Sequence, residues 1–394
     1  MWEQCKNLQE ELVTMRRELH QIPEIGGNLP ETKSYVVGKL QEMGIPFVEN
    51  QTDSGLVAVI QGAKPGKTIA LRTDMDALPI QEENEVPYKS RHSGCMHACG
   101  HDAHMTMLLG AAKILNANKD RISGTVKLLF QTDEEGSKGA QRICAEGHME
   151  GVDAVFGTHI GTILSKDIPV GTVICTPGCC MASFDKFIIK VKGFGCHGST
   201  PEKGVDPVSI AAHIIINLQE VLAREIAAVK PAVLTIGHIE GGFAYNVLPS
   251  EVLMEGTIRA LEEDVRQYLA RRIDEIAKAT AAAFRGQAEV EMDWGAPPVI
   301  SDPGMAELAA NCAREIVGAD RVIDHVEAPN MGGEDFAYYL NMVPGAFLFL
   351  SSSNPEKHTD MPHHSSTFNV DEDVFWIGSA LFVKIVEKYL GIES

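Results

Sequence analysis

The hydrophobic pattern of the first half of the chain alternates between helical and strand-like segments. Apolar residues at positions 8 to 19 follow helical spacing, and a second helix is predicted around residues 31–43. Two strand-like runs, GLVAVIQG and TIALRTDMD, come next, and the Lys-Pro-Gly sequence at 64–66 predicts a turn between them. The chain therefore begins as a mixture of helices and strands.

Further along, a helix predicted over residues 101–116 precedes the strand-like run GTVKLLFQ, and a helix near 138–147 precedes the run DAVFGTHI. Alternating strands and helices predict an α/β fold with a mostly parallel sheet and helices on its faces. In such sheets, functional groups gather beyond the carboxyl ends of the strands. The polar residues predicted at these ends are Asp74, Asp76, Asp133, Glu134, Glu135 and His159.

From residue 183 the predicted order changes to β-α-β-β-α-β, which is the order of a compact ferredoxin-like domain. Strand and helix signals of the earlier kind resume after Pro297 and Pro298. The simplest arrangement has a larger α/β domain, made of residues 1–182 and 293–394, with residues 183–292 inserted into it.

The composition narrows the class of protein. The chain has 394 residues, of which 44% are hydrophobic and 22% charged, and its formal net charge is -20. This acidic balance argues against binding to nucleic acid or to anionic membranes. No apolar window reaches membrane-spanning length, and nine irregularly spaced cysteines suggest reduced thiols rather than a disulfide framework. We expect a soluble cytoplasmic protein.

The segment GCMHACGHDAHM places Cys99 and His101 two residues apart at the start of the helix predicted over 101–116. A thiolate and an imidazole together suit zinc, manganese, cobalt or nickel better than calcium or magnesium. An isolated pair of this kind is weak evidence, because cysteine and histidine are also common in protein cores.

Three other segments strengthen the metal hypothesis, because they add carboxylates and imidazoles. Glu134 with Glu135 and His159 are predicted at the same edge, and the pair His363 and His364 lies in a polar loop before the C-terminal helix. Hydrolysis by two metal ions requires ligands for each ion and an unligated carboxylate that accepts the proton of the attacking water. Adjacent glutamates could serve as ligand and base, although an acidic pair after a strand is equally typical of a solvated turn.

The order of the motifs along the chain and the residues within them point to a specific family. The segments LRTDMDALPI, MHACGHDAHMTMLLGAA, QTDEEG, GTHI, NVLP, MGGEDF and HHSSTFNVDED resemble the aminoacylase/amidohydrolase branch of the M20 metallopeptidase family, which includes hippurate hydrolase and auxin-conjugate hydrolases. The resemblance implies a zinc-peptidase-like catalytic domain with an inserted ferredoxin-like domain that acts as lid and dimerisation surface. It also implies hydrolysis of N-acyl amino acids to a carboxylic acid and a free amino acid.

Residue by residue, the resemblance implies two divalent metal ions per subunit, zinc or manganese first and cobalt or nickel as further options. Their ligands would be Cys99, His101, Glu135, His159 and His364. The family pattern His-Ser-Pro-x-Phe, counted back from Phe368, selects His364 over His363. Glu134 matches the general base.

Three residues of the inserted domain match further positions of the family. His197 would reach the active site of a neighbouring subunit and stabilise the oxyanion, so a homodimer or homotetramer is expected. Asn246 and Arg259 would hold the substrate's carboxylate, for which a guanidinium group is well suited. Cys196 and Ser366 depart from the common pattern, which affects the expected specificity more than the reaction type.

Several questions remain open at this level. Asp74 and Asp76 could orient ligating histidines, while His20 and Glu334 have no assigned role. A dipeptidase or carboxypeptidase would use the same site, and a non-catalytic protein that binds metal or amino acids could share the fold. The sequence does not identify the acyl group, the preferred amino acid or the native metal.

Overall fold

The computed structural model describes residues 1–326 and 329–392 and divides into two compact units. The larger unit comprises residues 1–180, 299–330 and 334–394, and the inserted unit comprises residues 181–298 and 331–333. Within the described residues, no helix is both long and apolar enough to cross a membrane.

The first part of the larger unit begins with a 3-10 helix at Trp2–Leu8. Four α-helices follow: α1 Gln9–His20, α2 Pro30–Glu42, α3 His101–Ala117 and α4 Gly139–Ala145. Seven strands occupy the same part of the chain: β1 Phe47–Glu49, β2 Leu56–Gln61, β3 Lys64–Asp74, β4 Ser123–Gln131, β5 Ala154–Gly161, β6 Val173–Ile174 and β7 Gly178–Met181.

The predicted turn at residues 64–66 is wrong, because β3 already begins at Lys64 and residues 62–63 join it to β2. The physical reason lies at Gly62, where an added Cβ would be 2.3 Å from the carbonyl oxygen of Ile122. The close approach of two backbones therefore requires glycine two residues before the Lys-Pro-Gly signal, and the register of β3 against β4 shifts between Lys64 and Thr68.

The inserted unit contains its own antiparallel sheet and two long helices. Its elements are β8 Phe184–Lys192, β9 Cys196–His197, α5 Pro207–Glu220, β10 Ala232–Gly241, β11 Val247–Leu248, β12 Glu251–Ala260, α6 Glu263–Ala283 and β13 Gln287–Ala296. The four long strands are ordered β10-β12-β8-β13. A separate apolar core, which includes Phe187, Ile214 and Leu269, covers one side of this sheet with α5 and α6.

The chain then returns to the larger unit with β14 Val299–Ser301, α7 Pro303–Val317, β15 Val322–Ile323, α8 Ala337–Leu340, β16 Gly345–Ser351 and α9 Phe375–Tyr389. The eight-stranded sheet has the order β1-β2-β4-β3-β5-β16-β6-β15. Its four central strands β4, β3, β5 and β16 are parallel. The larger unit is therefore a mixed α/β fold built on a mostly parallel sheet, as predicted.

Helix α3 places the chemistry at one edge of this sheet. It is buried along most of its length and packs against α1 and α9. At Gly110 an added Cβ would lie 2.5 Å from the Ser379 hydroxyl on α9, so the two helices approach closely. The helix begins at His101, directly after Gly100, whose φ of 95° favours glycine. Its first turn lies near the carboxyl ends of β3, β4 and β5.

Candidate metal centre

The carboxyl edge of the central strands brings together groups from four distant segments. Cys99 and His101 precede and begin α3, Glu134 and Glu135 follow β4, and His159 lies near the end of β5. The loop before α9 adds His363 and His364. Potential ligand atoms in this region lie within 4.8 Å of one another in three connected groups: Cys99, Glu135 and His364; His101, Glu134 and Glu135; Cys99, His159 and His363.

These groups share members, which gives the cluster the form of two adjoining sites. Cys99 belongs to two groups and Glu135 to two groups. The Cys99 thiol lies 3.4 Å from His159 Nε2, and His364 Nε2 lies 3.3 Å from Glu135 Oε1. Two ions held close together need ligands that contact both of them or bridge between them. The structure therefore brings all five residues predicted as ligands into one continuous cluster.

The backbone fixes the ring orientation of two histidines. His101 Nδ1 lies 2.8 Å from the carbonyl oxygen of Asp76, and His159 Nδ1 lies 2.9 Å from the carbonyl oxygen of Ile160. A carbonyl only accepts, so the hydrogen-bond network assigns an N–H to Nδ1 in both rings. In the neutral ring each Nε2 is then the nitrogen with a lone pair, which is the form that binds a metal ion.

His104 has the opposite arrangement. Its Nδ1 lies 2.6 Å from Asp74 Oδ1, and its Nε2 accepts a hydrogen bond of 2.9 Å from the backbone N–H of Ile160. Both ring nitrogens are therefore engaged within the protein. His104 joins α3 to β3 and β5, and it offers no free lone pair to an ion.

Two buried atoms of the cluster lack hydrogen-bond partners within the described residues, namely His101 Nε2 and Glu135 Oε1. His364 lies near the latter atom but not in hydrogen-bonding geometry. Buried polar atoms are normally satisfied, so such a pair requires an explanation. A bound cation would satisfy both atoms, and the thiol, imidazole and carboxylate donors fit a divalent ion such as zinc or manganese.

The electrostatics of the ion-free cluster lead to the same conclusion. Burial, together with Glu135 and Glu134, raises the pKa of the Cys99 thiol. Burial lowers the pKa of His159, and the neighbouring His104 lowers it further, so the ring is neutral. Burial also opposes the protonation of His101, but Asp74 and Asp76 outweigh it and raise its pKa to about 10. The raised pKa values of Cys99 and His101 thus partly reflect the negative charge of nearby carboxylates, which divalent cations would neutralise.

Asp76 fixes the position of the two glutamates. Its carboxylate accepts the backbone N–H of Glu134 at 3.0 Å and that of Glu135 at 3.2 Å. Its own carbonyl accepts from His101, as described above. Asp76 therefore connects the glutamate pair to the start of α3, which agrees with the orienting role that the sequence left open for it.

Glu134 lies in a strongly acidic environment. Its side chain belongs to a further group of neighbouring ligand atoms with Glu334 and Asp335, which come from the MGGEDF segment. Burial raises the pKa of Glu134, and the negative charge of Glu334 raises it further. Glu134 is thus a buried carboxylate beside the ligand cluster, as expected for a residue that exchanges a proton.

Arg72 neutralises part of this acidic region, and sequence reasoning did not identify it. Its buried guanidinium lies 2.7 Å from Asp74, 2.9 Å from Glu334 and 3.0 Å from Asp335. A single arginine within the apolar run TIALRTD was the available signal, because a fully buried arginine is rare unless it is paired. Its partners Glu334 and Asp335 are more than 260 residues away in sequence.

The remaining predicted residues belong to the inserted unit. His197 in β9 pairs with Val247 in β11, and the N–H of Gly198 donates to the carbonyl of Asn246 at 2.7 Å, so His197 and Asn246 are neighbours. Arg259 lies on β12, where its guanidinium donates to the Ile258 carbonyl at 3.0 Å. These three residues therefore share a unit with each other and not with the ligand cluster.

Comparison with known proteins agrees with this chemistry. The profile of peptidase family M20/M25/M40 matches residues 70–388. The chain is 39% identical to the N-acetyl-L-cysteine deacetylase of Bacillus subtilis, over 93% of this chain and 85% of that protein. It is 37% identical to thermostable carboxypeptidase 2 of Saccharolobus solfataricus, over 98% of this chain and 96% of that protein. A crystal structure of a dinuclear metal-binding M20 peptidase from Bacillus subtilis superposes with a TM-score of 0.84 at 32% identity, covering 98% of this chain and 100% of that one.

Proposed function

The chain belongs to peptidase family M20/M25/M40, and we propose that it hydrolyses the amide bond of N-acyl amino acids to a carboxylic acid and a free amino acid. The observation that carries this proposal is the buried carboxylate of Glu134 beside a cluster of donors suited to two divalent ions. The relative named as an N-acetyl-L-cysteine deacetylase supports an N-acyl amino acid as the substrate class.

Two divalent ions, once bound, would polarise the acyl carbonyl and lower the pKa of a shared water to about neutral. The residues proposed to hold them are Cys99, His101, Glu135, His159 and His364. Glu134 would accept the proton of the attacking water at its carboxylate and return it to the departing amide nitrogen. The assignment of Glu135 as ligand and Glu134 as base is supported by two sets of contacts. Glu135 approaches both Cys99 and His364, whereas Glu134, although it also lies near His101, faces Glu334 and Asp335.

The inserted unit would act as a ferredoxin-like lid and as the surface that joins two or more copies. His197 Nδ1 accepts the backbone N–H of Ser199 at 3.1 Å, which assigns the N–H to Nε2. An exposed imidazole with Nε2–H is suited to stabilise an oxyanion in the active site of a second copy. Phe243 and Tyr245, beside Asn246, are 84% and 102% exposed, as expected for residues that another subunit covers.

The test of this assignment is Glu134→Gln, which keeps the size of the side chain and removes its ability to accept a proton. We expect the kcat for N-acetyl amino acids or hippurate to fall by roughly 10²- to 10⁴-fold, the usual contribution of a general base. Metal content should remain at the wild-type level. Glu307→Gln, on the exposed side of α7, is the matched control and should keep full activity. Full activity in Glu134→Gln would reject the role.

A carboxypeptidase or dipeptidase is the second candidate, and the relative named thermostable carboxypeptidase 2 favours it. The two functions differ in the group on the acyl side of the scissile bond, which is blocked in one and a free amine in the other. Comparing kcat/KM for N-acetyl or benzoyl amino acids with that for unblocked dipeptides, on apo protein reloaded with zinc, manganese, cobalt or nickel, would distinguish them. Higher values for the unblocked dipeptides would favour the peptidase.

A further inference from the structure

His363 lies next to the proposed ligand His364, yet its surroundings are different. Its Nδ1 is 3.8 Å from the Cys99 sulfur, and its ring packs against His159 and Phe368 with centroids 5.0 Å and 4.7 Å away. His364 instead approaches Glu135 and is half exposed. Two adjacent histidines therefore reach the same cluster from different directions, and their roles need to be separated.

The backbone at Gly161 and Thr162 determines which nitrogen of His363 carries the proton. The N–H of Thr162 donates to His363 Nε2 at 3.1 Å. A backbone amide can only donate, so Nε2 must present its lone pair, and the single N–H of the neutral ring is then on Nδ1. This N–H points to the Cys99 sulfur.

Gly161 is the residue that permits this contact. Its φ is 127°, and an added Cβ would lie 2.2 Å from His363 Nε2. Any side chain at this position would occupy the place of the imidazole. The absence of a side chain at Gly161 therefore allows the ring to lie against the end of β5 and to accept from Thr162.

We propose that His363 is a positioning residue that donates a hydrogen bond from Nδ1 to the sulfur of Cys99, while His364 supplies the lone pair that binds an ion. A hydrogen bond to a thiolate fixes the direction of the sulfur and reduces the electron density that it donates to a bound ion. The inference depends on the proposed function only in that Cys99 binds a metal ion.

Two other roles are chemically reasonable and are outcomes of the test. His363 also belongs to a group of neighbouring ligand atoms with Cys99 and His159, so it could itself bind an ion, but only by giving up the hydrogen bond from Thr162 or by turning its ring. It also lines a cavity of about 430 Å³ together with Lys166 and Asp360, so it could contact substrate directly.

The experiment uses the full-length enzyme loaded with cobalt(II), whose thiolate-to-cobalt charge-transfer absorption reports on the sulfur. His363→Asn places an amide N–H near the position of Nδ1, and His363→Phe removes the donor while it keeps an aromatic ring. We expect the band to move to longer wavelength in His363→Phe and to stay at the wild-type position in His363→Asn. Both variants should keep two cobalt ions per chain. Cys99→Ser, which should abolish the band, establishes its origin.

Three results would overturn the inference. Loss of one cobalt ion in both His363 variants, with both ions retained in His364→Phe, would make His363 the ligand. An unshifted band in His363→Phe with a raised KM would make it a substrate contact. A shifted band in His363→Asn equal to that of His363→Phe would show that hydrogen-bond donation is not the relevant property. Absence of amide hydrolysis by the wild-type enzyme would instead count against the proposed function alone.

Discussion

Arg72 offers the sharpest test of how the acidic region is held together. Its guanidinium is 2% exposed and contacts three buried carboxylates, those of Asp74, Glu334 and Asp335. In Arg72→Met the apolar volume is largely kept, but the three carboxylates lose their shared cation. Removing one partner of a buried ion pair typically costs about 3–5 kcal/mol, because a charge remains buried without compensation.

Protonation of the buried carboxylates will offset part of this loss of stability. Burial already raises the pKa of Asp335 and Glu334 raises it further, while Arg72 opposes both effects. Without Arg72 the pKa of Asp335 in the folded state must rise still further above its value in the unfolded chain. Such a carboxyl binds more protons when folded, so stability falls as pH increases. The loss of stability in Arg72→Met should therefore be near the upper end of the range of about 3–5 kcal/mol at pH 8 and smaller at pH 5.

The assay is urea denaturation of the metal-free protein, followed by tryptophan fluorescence. The chain has three tryptophans, and Trp294→Phe leaves only Trp2 and Trp376, both in the larger unit. Arg72→Lys should lose less stability than Arg72→Met, because lysine keeps the positive charge, although it lacks the guanidinium fork. Arg91→Met, at an exposed position, should stay within about 0.5 kcal/mol of wild type. A change below about 1 kcal/mol in Arg72→Met at pH 8 would contradict the reasoning from buried charge.

Three further predictions concern the metal centre and its support. Chelation should lower the melting temperature and readdition of zinc should restore it, because ions that bind only the folded state stabilise it by mass action; an unchanged melting temperature would contradict this. Asp76→Asn should weaken metal binding by roughly 10- to 100-fold, since the Asp76 carboxylate orients both glutamates. A competition assay with a chromophoric chelator would measure this, with Asp360→Asn, outside the cluster, as the control variant. Gly157→Ala should lower stability by roughly 1–3 kcal/mol in urea denaturation, because its Cβ would lie 2.8 Å from the Phe336 ring in the core, and equal stability would show that the ring can move.

The overall fold was predictable because its signals are local and repeated. Strand and helix periodicity identified the parallel sheet, and the TIALRTDMD and QTDEEG segments located the ends of two of its strands. The error at residues 64–66 arose from a non-local cause. Lys-Pro-Gly is a strong turn signal, but the close approach of Gly62 to the backbone of Ile122 fixes the connection two residues earlier.

The partners of the site residues were less accessible to prediction. The pairing of Arg72 with Glu334 joins residues more than 260 positions apart, and no periodicity in either segment records it. The choice of His364 over His363 came from the family pattern and remains a prediction, because the structure places both rings near Cys99 or Glu135. Asp76 was recognised only as a possible orienting group, since its contacts depend on the loop after β4.

The backbone, rather than residue type, decides which imidazoles around Cys99 can bind an ion. Backbone carbonyl oxygens accept hydrogen bonds from Nδ1 of His101 and His159, so Nε2 of each ring remains available. Backbone N–H groups donate to Nε2 of His104 and His363, which leaves the ring proton on Nδ1. Nδ1 of His104 then faces Asp74, and Nδ1 of His363 faces Cys99. An isolated Cys-x-His motif cannot distinguish these cases, because the deciding atoms belong to other strands. In the proposed assignment, the same residue type serves as ligand or as hydrogen-bond donor according to which backbone group the fold places beside it.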